Sequence, residues 1–173
     1  MKTYGMILFF LFALGCTESD ETTKRYTELN VDSLSLATEA MFDLEDIKNL
    51  LERGKYDEAL AKCNSAEEKL IKSTQNLKEM CELAEGREDL DCPSHLINEK
   101  EQCLARKTNF LCRKIQWDKE KSQCSDDSCL SELKERCFKM ANEAMVIDAI
   151  CIALDPEQGE MYDSIVEQCE LLN

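Results

Sequence analysis

The sequence predicts an all-α protein: about five antiparallel helices, stacked as hairpins or gathered in a bundle, and cross-linked by disulfides. Three observations carry this expectation. Two prolines and five glycines are all that interrupt 173 residues, a third of them charged, so regular helix is favoured over strand. Apolar side chains recur at spacings of three, four and seven along most of the chain, the period of one helix face. Eleven cysteines accompany them, several on the apolar lines themselves, as in a helical framework stapled in an oxidising compartment.

The first 15 residues place Lys2 ahead of an apolar run from Met6 to Leu14, with Gly15 directly before Cys16. That is the layout of a secretory signal. The run spans nine residues, about half of the ~20 that a membrane-crossing helix needs. Residues 1–15 are therefore expected to direct export and not to remain as an anchor. Residues 16–32 are polar and lack an apolar period, which reads as a flexible tether.

One helical domain, 33–173, is expected to follow. Its first helix, 33–53, is capped by Ser33 or Ser35, carries Met41, Leu44, Ile47, Leu50 and Leu51 in a stripe, and stops at Gly54. The second, 56–84, repeats Cys63, Leu70, Leu77 and Ala84 every seven residues. A turn from Gly86 to Pro93 closes this 33–86 hairpin. The remaining part, 94–173, reads as three cysteine-rich helices. The first of them, 94–122, has two adjacent lines, Leu96-Cys103-Phe110-Trp117 and Ile97-Leu104-Leu111, a face broad enough for two neighbours. The next interleaves Leu130-Cys137-Ala144-Cys151 with Leu133-Met140-Ile147-Leu154 and ends at Asp155-Pro156. The last, 157–172, turns Met161, Ile165, Cys169 and Leu172 to one side.

Two stretches resemble known families. Phe12-Ala13-Leu14-Gly15-Cys16 resembles the lipobox of prokaryotic lipoproteins: Gly15 and Cys16 fit, while Ala13 and Leu14 hold the leucine and small-residue places in reverse order. The resemblance implies cleavage before Cys16 and a diacylglyceryl thioether on its sulfur, with fatty acyl chains such as palmitate. An ordinary secreted protein with a cysteine beside its cleavage site is the alternative. Gly54-Lys55-Tyr56 with Ala59, Cys63 and Ala66 resembles the turn and second helix of a tetratricopeptide (TPR) repeat. It covers about half of one repeat and no 34-residue period follows, so it implies a TPR-like first hairpin and not a peptide-binding TPR groove; an ordinary antiparallel hairpin is the alternative.

Cysteine arithmetic bears on Cys16 independently. Eleven is odd, and an odd thiol in an exported protein is a liability. Setting Cys16 aside leaves an even number that can all pair. In an antiparallel hairpin, facing residues have a nearly constant sum of positions set by the turn. Turns near residues 90, 126 and 156 then bring together Cys63 with Cys112, Cys103 with Cys151, and Cys137 with Cys169. Cys81 with Cys92 and Cys124 with Cys129 sit beside turns. Cys103 and Cys112 point to opposite sides of one helix at about 100° per residue, so they bind different neighbours. Cys137 and Cys151 lie only about 40° apart yet must reach different helices, which requires those helices to be close.

Composition and motifs exclude more than they assign. A net charge of −15, more negative by one without Lys2, opposes nucleic acid and anionic headgroups, leaving the lipid as the membrane contact. There is no CxxC or CxxCH, no nucleophile elbow, no phosphate-binding glycine loop and no paired-histidine motif. No metal site, cofactor or catalytic residue is therefore expected. The single histidine, His95, falls in a first helical turn, and Asp126-Asp127 lacks the alternating ligands and glycine of a calcium loop. Trp117 shares a line with Phe110, which favours a core role over ligand stacking. The expectation is a non-enzymatic, lipid-anchored protein on the cell or outer membrane, facing the periplasm or exterior, that presents a rigid acidic surface to an envelope protein. A carrier of a small apolar ligand held near Trp117 and Phe110 is the alternative.

Overall fold

A computed structural model describes residues 20–154 and 161–172. Among them the order is α1 (Glu21–Glu52), α2 (Tyr56–Ala84), α3 (Ser94–Asn98), a π-helical segment (Glu99–Leu104), α4 (Ala105–Gln123), α5 (Asp127–Leu154) and α6 (Met161–Glu170). The described fold is all-α and disulfide-linked, and each helix packs chiefly on the next: α1 on α2, α2 on α4, the π segment and α4 on α5, and α5 on α6.

The α1–α2 turn is built by its glycine. Gly54 has φ +69°, where a Cβ is unfavourable, and the Lys55 N–H returns to the Leu50 carbonyl at 2.9 Å while the Gly54 N–H reaches Leu51. That is a Schellman stop. Small side chains then let the two helices run close together. Ala40 packs with Ala66, Ile47 packs with Ala59, and Ser33 and Ser73 exchange hydrogen bonds, with Ser73 Oγ donating to the Ser33 carbonyl at 2.9 Å.

Helix α1 begins far earlier than expected. Residues 21–32 are its first turns and not a tether, and Asp20, not Ser33 or Ser35, is the N-cap, accepting from the Thr23 N–H at 2.7 Å. The cause is tertiary. Leu29 is buried with Leu77 and Met80, Tyr26 packs beside them and donates its hydroxyl to the Asp91 carbonyl at 2.6 Å, and Arg25 pairs with Glu79 at 2.9 Å. Ser33 is buried in the interface. Met41, expected on the inner stripe, is exposed.

The expected helix over 94–122 is interrupted by the π segment, whose i→i+5 bonding breaks the seven-residue line. Leu96 is exposed, whereas Cys103, Phe110 and Trp117 are buried. Those three join Leu133, Cys137, Ala144, Ile147, Cys151, Ile165 and Cys169 in the largest core cluster. Leu130, on an expected α5 core line, is exposed at its helix start.

The cysteines pair as Cys63–Cys112, Cys81–Cys92, Cys103–Cys151, Cys124–Cys129 and Cys137–Cys169, with Cα separations of 5.5, 4.3, 5.0, 5.9 and 5.6 Å. Cys63–Cys112, Cys103–Cys151 and Cys137–Cys169 are the pairs that the hairpin sums bring together, and the other two are those beside turns. Three of them staple successive layers: α2 to α4, the π segment to α5, and α5 to α6. Cys137 and Cys151 lie in one core with Cys103 and Cys169, the proximity that their pairing to different helices requires. Residues 1–19, Cys16 among them, lie outside the described residues, as do 155–160, which hold the expected Asp155-Pro156 stop and the first residues of the expected last helix.

Candidate protein-binding face

The most polar buried feature lies between α1 and α2. Asp43 accepts from Lys62 at 2.8 Å, Ser65 at 2.9 Å and Lys69 at 2.6 Å. Burial alone would raise its carboxyl, but the hydrogen bonds from Lys62, Lys69 and Ser65 outweigh it and hold the group at about 2. The same bonds to Asp43 raise both lysines. Asp43 floors an open cleft of about 870 Å³ that includes Asp46, Asn49, Arg53 and Glu58. Lys62 also meets Asp46 at 3.1 Å and Lys69 meets Glu39 at 3.5 Å. The two lysines are thus matched to carboxylates of the other helix, so the network braces α1 to α2.

The residues singled out by sequence have structural places. Trp117 is buried and its Nε1–H donates to the Leu133 carbonyl at 3.0 Å, with the Lys121 ammonium over its ring at 5.3 Å. Phe110 is buried in the same core, and neither residue lines a described cleft. His95 is exposed on α3. Asp126 is the α5 N-cap, its Oδ1 accepting from the Cys129 N–H at 2.9 Å, a role that its place two residues after Cys124 did not reveal. Among the described residues no group of three His, Cys, Asp or Glu is arranged to hold a metal, and no helix is long and apolar enough to cross a membrane.

Two helix faces leave large apolar side chains uncovered. On α5, Phe138, Met145, Val146 and Ile152 are 42, 50, 52 and 45% exposed. Asn142, Ala149 and Ala153 are exposed beside them, while the half-exposed Glu143 lies to one side, paired with Arg113. By helical spacing these side chains share one face. Contiguous exposed apolar patches of this kind are candidate contact sites. Helix α1 has a second such stripe, Val31, Leu34, Met41 and Phe42, hemmed in by the exposed acids Glu28, Asp32, Glu39, Glu45 and Asp46.

The α5 face borders a groove against α4. Two clefts of about 360 and 260 Å³ share Arg113 and Glu143. The first adds Glu67, Arg106, Asn109 and Val146, and the second adds Gln116, Arg136, Lys139 and Met140. Arg113 donates through both terminal nitrogens to Glu143, with Nη1 to Oε2 at 2.7 Å. This pairing lowers the glutamate and raises the arginine. Asn109 holds Glu67 at 2.7 Å, and Arg136 pairs with Glu120. No family model matches the chain, and no curated protein or solved structure matches it either.

Proposed function

We propose that this chain is an exported, lipid-anchored, non-enzymatic module that binds a protein partner in the cell envelope. The observation that carries the reading is the apolar face of α5, held at fixed geometry by staples on both sides: Cys103–Cys151 to the π segment and Cys137–Cys169 to α6. A face so fixed loses little entropy on binding. A carrier would need space beside Trp117 and Phe110, and both are packed into the core.

Export and anchoring are supported by the cysteines. With ten of eleven in disulfides, an oxidising compartment suits the chain, and Cys16 is the thiol left for a lipid. Because α1 starts at Glu21, the four residues Thr17 to Asp20 separate it from Cys16. At ~3.5 Å per residue they reach about 14 Å, so the domain would sit close to the bilayer. The TPR-like character of the α1–α2 hairpin is part of this proposal, supported by Ala59 and Ala66 in its interface.

The test is a photo-crosslinking residue at Met145 in the living host. A single strong adduct with an envelope protein is expected, absent when the probe is at Glu58 on α2. Equal labelling from both positions, or none from Met145, would count against the proposal.

A further inference from the structure

We infer that the α4–α5 groove, with the α5 face beside it, takes an acidic amphipathic helix of the partner. The inference rests on the protein-binding reading and names the partner's chemistry. It reverses what bulk charge suggests, since a chain of net charge −15 would be expected to attract cationic segments. Charge is not spread evenly, however. Helix α4 carries Arg106, Lys107, Arg113, Lys114, Lys119 and Lys121 against Asp118 and Glu120. The groove is lined by Arg106, Arg113, Arg136 and Lys139 against Glu67 and Glu143, with Glu120 and Glu135 paired behind Arg136 and Lys139, so it is near neutral where the chain as a whole is strongly negative.

The cations differ in how they are held. Arg113 is fixed by two bonds to Glu143 and serves as the rigid wall of the groove. The Arg136–Glu120 and Lys139–Glu135 pairs are exposed on the cationic side, at 51 and 72% for Arg136 and Lys139. Such pairs are weak in water, so a partner carboxylate can replace either acid at small cost. Arg106 is exposed at the rim.

The apolar half of the site completes the pattern. Val146 lines the groove itself, and from it the exposed face continues across Ala149 and Ala153 to Met145 and Ile152. The two alanines are four residues apart, where a second helix can approach closely. From Phe138 to Ile152 the face runs for about 21 Å at 1.5 Å per residue, about four turns of a partner helix. An occupant with Leu or Ile on one side and Glu or Asp on the other meets both halves. The α1 stripe, ringed by acids, would repel that occupant, which is why the inference concerns α5.

Selection from a display library of helical peptides tests this, using the mature chain with its disulfides intact as bait. The expected result is enrichment of peptides with acids on one face and Leu, Ile or Phe on the other. Their binding should fall at least tenfold on an R106E/K139E bait and on a V146D bait, with helical circular dichroism and the non-reducing peptide map unchanged in each variant. Enrichment of Lys- and Arg-rich peptides, or acidic peptides that still bind R106E/K139E, overturns the inference. So does binding lost only in F42D, which would move the site to α1 and leave the protein-binding reading standing. No enrichment on any bait overturns both.

Discussion

Replacing Asp43 by asparagine removes the charge at the centre of the α1–α2 brace while keeping the side chain's size. Asp43 is 6% exposed and its carboxyl accepts hydrogen bonds from Lys62, Ser65 and Lys69. Its folded value of about 2 lies below the ordinary 3.8. At ~1.4 kcal/mol per unit, the difference corresponds to about 2.5 kcal/mol of stability. Because the folded value is depressed, this contribution is complete above the unfolded value and is lost as pH falls through the folded one. Asp43→Asn should therefore cost about 2.5 kcal/mol at pH 7, with the gap between wild type and variant closing as pH falls from 4 toward 2. Urea unfolding followed by far-ultraviolet circular dichroism, with disulfides intact, measures it at each pH. Loss of less than about 0.5 kcal/mol at pH 7, the range of an ordinary surface change, would refute the reasoning. So would an undiminished gap at pH 2.

Other changes test separate parts of the structure. Gly54→Ala should cost about 1 kcal/mol, because the φ of +69° is strained for alanine although no atom lies within 4 Å of the added Cβ; thermal melting reads this, and an unchanged midpoint would argue against the Schellman stop. Replacing Cys137 and Cys169 together by alanine removes a bridge across 32 residues, worth about 3–4 kcal/mol by loop entropy. Amide exchange in α6 should then quicken far more than in the α1–α2 hairpin, and uniform change would contradict the layered packing. Trp117→Phe removes the bond to the Leu133 carbonyl and should cost about 1–2 kcal/mol without altering peptide binding at α5; lost binding would return Trp117 to the site.

The cysteine pairing was legible in the sequence because antiparallel hairpins with short turns leave each cysteine few facing positions. The start of α1 was not. Residues 21–32 offer only Tyr26 and Leu29 to the core, and they are helical because α2 and the loop to α3 supply Leu77, Met80, Glu79 and the Asp91 carbonyl, contacts far away in sequence. The π segment was hidden because one widened turn leaves Cys103, Phe110 and Trp117 at their seven-residue spacing and displaces only Leu96. The α5 face was half visible: its lines of Cys137, Ala144 and Ile147 mark the buried side. The apolar Phe138, Met145 and Ile152 lie outside those lines, so the C-terminal half of α5 is apolar on two sides, and such a helix has more to cover than its own chain provides.

Mass spectrometry of the protein isolated from its host envelope bears most directly on the proposed export and anchoring. Digested without reduction, it should yield an N-terminal peptide beginning at Cys16 with a diacylglyceryl group on its sulfur, and the other ten cysteines in five cross-linked peptides. A mature chain that begins elsewhere without lipid, or Cys16 found in a disulfide, would contradict the account.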